Sequence, residues 1–119
     1  MADWVGRAAW LLRPVQERLF YQSKQSTKLF ADETTISVLD PGSGKTKPDQ
    51  LWAYARDDRP WGGEYPPGVV YCYASDQKAD HPISHLTGVR SILQVDGYVA
   101  YEKLAAQGEM ALAHCWAHP

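Results

Sequence analysis

The sequence predicts an α/β domain built on a mixed sheet: a three-strand antiparallel meander, then parallel strands joined by helices, preceded by an N-terminal helix. Two observations carry this. Three β-rich segments in the first half are joined by loops without helical periodicity, which suits hairpin connections. From the third segment onward strand and helix patterns alternate, and that order favours parallel pairing through right-handed crossovers.

Residues 3–20 place Trp4, Ala8, Leu12, Val15 and Leu19 at three- and four-residue steps, one apolar stripe on a helix. Pro14 interrupts it and is expected to kink the helix or to open a second one. Residues 21–27 are polar and read as a connector. The first strand is 28–39, KLFADETTISVL, where Phe30, Thr34, Thr35, Ile36 and Val38 crowd around the adjacent acids Asp32 and Glu33. A turn-rich loop, 40–48, follows. Residues 51–56 form the second strand, with Trp52 and Tyr54 on one face, and 69–73 the third, after an irregular link. Residues 82–88 are a short helix, with Pro82 suited to its first turn and Gly88 to its end. A fourth strand, 91–96, ends at Gly97. A helix over 98–107 closes at Gly108, and 110–116 is a fifth strand.

The chain has 119 residues, 45% hydrophobic and 22% charged, which suits one small globular domain. No apolar run approaches the ~18 residues of a membrane span, and no signal peptide is visible. The expected location is the cytoplasm. Cys72 and Cys115 are too few for a disulfide framework and point to a reducing compartment. With a net charge of −2 and a pI near 6.0, bulk charge does not advertise nucleic-acid binding.

Asp96 ends the fourth strand just before a glycine, the place where open α/β sheets bind ligands. Asp32 lies on the first strand. If those strands are neighbours, two carboxylates meet, and such proximity raises a pKa or recruits a cation. Oxygen-only ligands favour Mg²⁺ or Mn²⁺ over zinc, and a pair of such ions supports phosphoryl transfer. The plainer alternative for Asp96 is a surface acid in a turn. Adjacent strand residues face opposite sides, so at most one of Asp32 and Glu33 is expected in a given pocket.

Three other clusters carry weaker signals. Gly44-Lys45-Thr46 resembles part of a phosphate loop, but Leu39 stands where the pattern needs glycine and Pro48 precludes the following helix. His114, Cys115 and His118 are too few for zinc without the distant Cys72, and core packing suits Cys115 and Trp116 better. Arg56, Asp57, Asp58, Arg59 and Trp61 could contact a phosphate backbone through Arg56 and Arg59, or form a loop of self-paired charges.

Several stretches together resemble the insertion-sequence-66 transposases: LLRP (11–14), ADET (31–34), VLDPGSGKTK (38–47), LWAYARDDRPWGG (51–63), PPGVVY (66–71), LQVDGY (93–98) and CWAH (115–118). They run in the family's order over nearly the whole chain. The resemblance implies a ribonuclease-H-like catalytic domain that cuts and joins DNA at transposon ends. It implies two metal-binding aspartates, matched by Asp32 and Asp96, and a glutamate on a later helix. Under it, residues 1–27 are an N-terminal helical segment and connector, and 28–119 are part of the catalytic domain. The sheet is then incomplete at the C-terminus. Glu102 and Glu109 precede the fifth strand and cannot take the glutamate's place. A fragment of this kind is expected to be inactive alone. The rival expectation is a non-catalytic product that self-associates or pairs with a full-length transposase, or a decayed gene remnant.

Overall fold

The structure, a computed structural model, describes residues 2–75, 78, 80–96, 99–107 and 110–114. The predicted caps Gly97 and Gly108, with Tyr98, Glu109, Cys115, Trp116 and His118, lie outside them. In order, the chain forms α1 (Ala2–Ser23), β1 (Lys28–Asp40), β2 (Lys45–Arg56), a 3₁₀ turn (Arg59–Trp61), β3 (Gly68–Ala74), α2 (Asp80–His85), β4 (Ile92–Val95), α3 (Val99–Gln107) and β5 (Ala111–His114). The sheet order is β3-β2-β1-β4-β5. β1, β2 and β3 pair antiparallel, and β1–β4 and β4–β5 pair parallel. This is the mixed sheet expected from the alternation of patterns, with the N-terminal helix first.

One face of the sheet is the core. Leu29 and Ala31 of β1, Trp52 and Tyr54 of β2, and Leu93 and Val95 of β4 alternate inward along their strands and are buried. All three helices reach this face. Phe20 of α1 stacks on Tyr54 at 5.3 Å. His85 of α2 shares a 2.8 Å hydrogen bond with the Tyr54 hydroxyl. Tyr101 of α3 packs edge-on against Trp52 at 6.0 Å. The opposite face carries Val69, Tyr71, Tyr73 and Ile92, each 46–57% exposed.

Two segments differ from the sequence expectation. The loop expected over 40–48 is a tight turn at 41–44, with Gly42 and Gly44 both at positive φ, and the hairpin extends to Asp40↔Lys45. Pro48 is therefore inside β2, opposite Ser37. It is tolerated because β3 joins β2 only from Gln50 on, so this part of the ribbon has two strands and an open side. The α1 stripe also behaves differently. α1 continues through Pro14 as one helix, and Trp4, Leu12, Val15 and Leu19 are 48–74% exposed. Among the described residues only the last turns of α1, around Phe20 and Ser23, are packed down.

β4 holds its place through few residues, so its core contact carries much of the stability. Leu93 is fully buried. Leu93→Ala should cost about 2–5 kcal/mol in denaturant unfolding, whereas Leu39→Ala, at an exposed hairpin position, should stay within about 0.5 kcal/mol of wild type. Equal losses would mean that β4 is not anchored as described.

Candidate metal centre

β1 pairs with β4 only over Lys28↔Ile92, Leu29↔Leu93 and Phe30↔Gln94. Two residues further along each strand stand Asp32 and Asp96. Side chains alternate with period two, so both aspartates share a face with Phe30 and Gln94. Beyond Phe30, β1 keeps β2 as its partner, and β4 ends at Val95. The sheet forks there, and the acids sit in the fork.

One carboxylate oxygen from each of Asp32, Glu33 and Asp96 lies within 4.8 Å of the other two. Glu33 belongs to this group, contrary to the expectation that only one of two adjacent strand acids could reach a given pocket. Its β-carbon starts from the core face, in line with Leu29 and Ala31. The fork leaves no β4 backbone beside it, and the glutamate's extra methylene gives it reach. Asp32 and Asp96 are exposed and Glu33 is half-buried. A groove of about 260 Å³ runs from the two aspartates along the same face past Phe30, Gln94, Ala53 and Ala55. Its floor is open because the β2 residues opposite Asp32 and Phe30 are alanines.

Glu33 is electrostatically loaded. Burial pushes its carboxyl up to about 7; the Tyr101 hydrogen bond opposes the rise, and the charges of Asp96 and Asp32 add to it. The Tyr101 hydroxyl donates to Glu33 Oε2 at 3.0 Å. Burial first, and then the Glu33 charge, raise the phenol above its ordinary value, so it remains a donor. The backbone N–H of Glu33 donates to Asp32 Oδ1 at 3.0 Å, which orients that carboxylate. The donor set is all carboxylate oxygen, clustered and partly accessible, and fits a hard divalent cation such as Mg²⁺ or Mn²⁺.

Arg56 and Arg59 have different surroundings. Arg56 is buried; its two terminal nitrogens donate to the Gln22 carbonyl at 2.9 Å and the Pro66 carbonyl at 3.0 Å. A guanidinium so placed ties the end of α1 to the segment before β3 rather than facing solvent. Arg59 is exposed and paired with Asp57 at 2.7 Å, which draws the Asp57 carboxyl down to about 2. Asp58 is buried and accepts from the Ser26 hydroxyl at 2.7 Å. A β-carbon on Gly63 would stand 2.3 Å from that of Asp58. The RDDRPWGG run is thus a folded turn whose acids and glycines are needed for its shape. Gly44-Lys45-Thr46 is the end of a hairpin turn and the start of β2.

Reasoning from sequence missed Glu33 and Tyr101. The signal for Glu33 was present, as an acid beside Asp32, but strict alternation argued it away. Tyr101 lies next to Glu102, the acid that sequence order drew attention to; Glu102 is exposed.

A family model described as Transposase IS66 family matches residues 1–119. The chain belongs to this transposase family. Among curated proteins it is similar to three uncharacterized proteins of Sinorhizobium fredii (strain NBRC 101917 / NGR234). y4qI is 46% identical over 99% of this chain, y4jD 41% over 97%, and y4hP 36% over 99%. The chain spans 22–24% of the length of these relatives. No helix among the described residues is long and apolar enough to cross a membrane.

The raised Glu33 carboxyl has a consequence for stability. The folded chain retains a proton up to about pH 7 that the unfolded chain releases near its ordinary 4.5. Stability of the metal-free chain should therefore fall as pH rises between those values, by about 1–2 kcal/mol once solvent screening of a half-exposed group is allowed for. Glu33→Gln should flatten that slope. Denaturant unfolding at pH 5 and 7.5 in chelator, compared between the two chains, isolates this contribution. Parallel slopes would contradict it.

Proposed function

We propose that this chain forms part of the catalytic domain of a metal-dependent DNA transposase, and that Asp32 and Asp96 hold a divalent cation, Mg²⁺ or Mn²⁺. The observation that supports it most is the placement of these two carboxylates at matching positions past the last β1–β4 pair, on one face. They are the two positions that the ADET and VDGY motifs single out. A ribonuclease-H-like sheet is the architecture that this reading assigns to residues 28–119, with 1–27 as a separate helical lead.

The bound ion would polarise an attacking hydroxyl or water and neutralise charge on a phosphodiester. The chain's own residues supply the rest. Asp32 is held by the Glu33 backbone N–H. The alanine-floored groove gives a nucleic-acid backbone room to approach the acids. Arg59, exposed beyond the end of β2, is the cation offered for phosphate contact, while the bonds of Arg56 give it the role of fixing the turn that carries Arg59. DNA at transposon ends would be the partner of the whole protein.

A second reading, association with another copy of the chain or with a full-length transposase, draws on α1. Trp4, Ala8, Leu11 and Val15 follow four- and three-residue steps suited to a helix–helix seam, and all are exposed. Light scattering on the purified chain distinguishes the two. A monomer at high concentration removes this reading, and a dimer dispersed by Leu11→Glu supports it.

Metal binding tests the first reading. At a Mn²⁺ concentration tenfold above its dissociation constant, the melting temperature should rise by roughly 5 °C, equivalent to about 1.4 kcal/mol. Asp32→Asn and Asp96→Asn should each abolish the rise. Neither should unfold the metal-free chain, because each relieves like-charge repulsion. A full Mn²⁺ response in both variants would overturn the assignment.

A further inference from the structure

We propose that Glu33 is a third carboxylate ligand of the divalent cation, and that the Tyr101 hydroxyl is the positioning group that aims it. The inference rests on the reading that Asp32 and Asp96 hold such a cation. It adds two residues that the sequence motifs do not mark for this role.

The geometry argues for it in three ways. First, Glu33 reaches the aspartates from the core side of the sheet. An acid in line with Leu29 and Ala31 would ordinarily sit over the core. Here an oxygen of it instead lies within 4.8 Å of oxygens of both aspartates on the other side of the fork. Two aspartate charges disfavour a third carboxylate beside them, so the fold must hold Glu33 there.

Second, the fold does hold it. Tyr101 is fully buried, set by α3 and by its edge-on contact with Trp52 at 6.0 Å. Its hydroxyl takes Glu33 Oε2 at 3.0 Å. Tyr101 thus anchors one of the two carboxylate oxygens. A hydrogen bond from a buried group to a ligating carboxylate is the usual way a protein orients a metal ligand.

Third, the spacing suits one ion. Octahedral Mg²⁺ holds oxygens at about 2.1 Å, so adjacent ligands stand roughly 3 Å apart and opposite ones roughly 4 Å. Oxygens within 4.8 Å of one another can reach that spacing by side-chain movement without a change in the backbone.

The test is direct Mn²⁺ binding to the purified 119-residue chain at pH 7.5 without DNA. Electron paramagnetic resonance would count free ion, and water-proton relaxation would count waters on the bound ion. Asp32→Asn, Glu33→Gln and Tyr101→Phe are compared, with Glu102→Gln as the neighbouring control. Glu33→Gln should weaken binding by at least about tenfold and add a water to the ion, and Tyr101→Phe should weaken it by about tenfold. Glu102→Gln should do neither. If Asp32→Asn weakens binding while Glu33→Gln leaves both affinity and water count unchanged, Glu33 is no ligand and this inference fails alone. If only Tyr101→Phe is silent, the positioning role falls. A wild-type chain that holds no Mn²⁺ overturns this inference together with the proposed function. Circular dichroism of each variant confirms the fold, and the two near-isosteric changes leave the packing of Trp52 in place.

Discussion

The parallel pairing of β1 with β4 is the constraint on which everything else depends. It is short, three residue pairs from Lys28↔Ile92 to Phe30↔Gln94, and it joins strands separated in sequence by β2, β3 and α2. A parallel pair cannot be closed by a hairpin and needs a crossover. What secures it is burial. Leu29 and Leu93 face each other across the pair and are both fully buried, each contributing about 1.5–3 kcal/mol. Register then follows, because a slip of one residue would send Leu93 to solvent and Gln94 to the core. The same register puts Asp32 and Asp96 side by side on the open face. The site is thus a consequence of core packing one layer below it.

Where the pairing stops matters as much as where it runs. The fork beyond Phe30 opens room that a continuous sheet would fill with backbone, and the alanines of β2 keep the floor shallow. Into that space the fold brings three carboxylates, and α3 brings one buried phenol to hold one of them. The rise of the Glu33 carboxyl to about 7 comes first from burial, and the charges of Asp96 and Asp32 add to it. A part-buried carboxyl with a raised pKa beside two exposed carboxylates is an arrangement that a hard dication would relieve.

Much of the architecture was legible in the sequence because its signals were local. Hairpin-type links marked the meander, alternating patterns marked the parallel half, and Trp52 and Tyr54 declared the buried face of β2. Asp96 before a glycine pointed to the carboxyl end of a strand. What could not be read depended on long-range placement. Strict alternation hid Glu33, because nothing local says that β4 ends where β1 continues. Arg56 read as a surface cation because its partners, the Gln22 and Pro66 carbonyls, belong to other segments. The α1 stripe has good helical spacing, yet periodicity says only that a face is apolar and not what covers it. Pro48 reads locally as a loop residue because the width of the sheet at that point, two strands until Gln50, is a tertiary fact.

The central claim is that carboxylates from β1 and from the end of β4 share one ion. A crystal of the chain grown or soaked in Mn²⁺, with an anomalous difference map at the manganese edge, tests it most directly. The account predicts a peak in the fork within coordinating distance of both Asp32 and Asp96. A peak elsewhere, or aspartate oxygens on divergent sides of β1 with no ion between them, would contradict it.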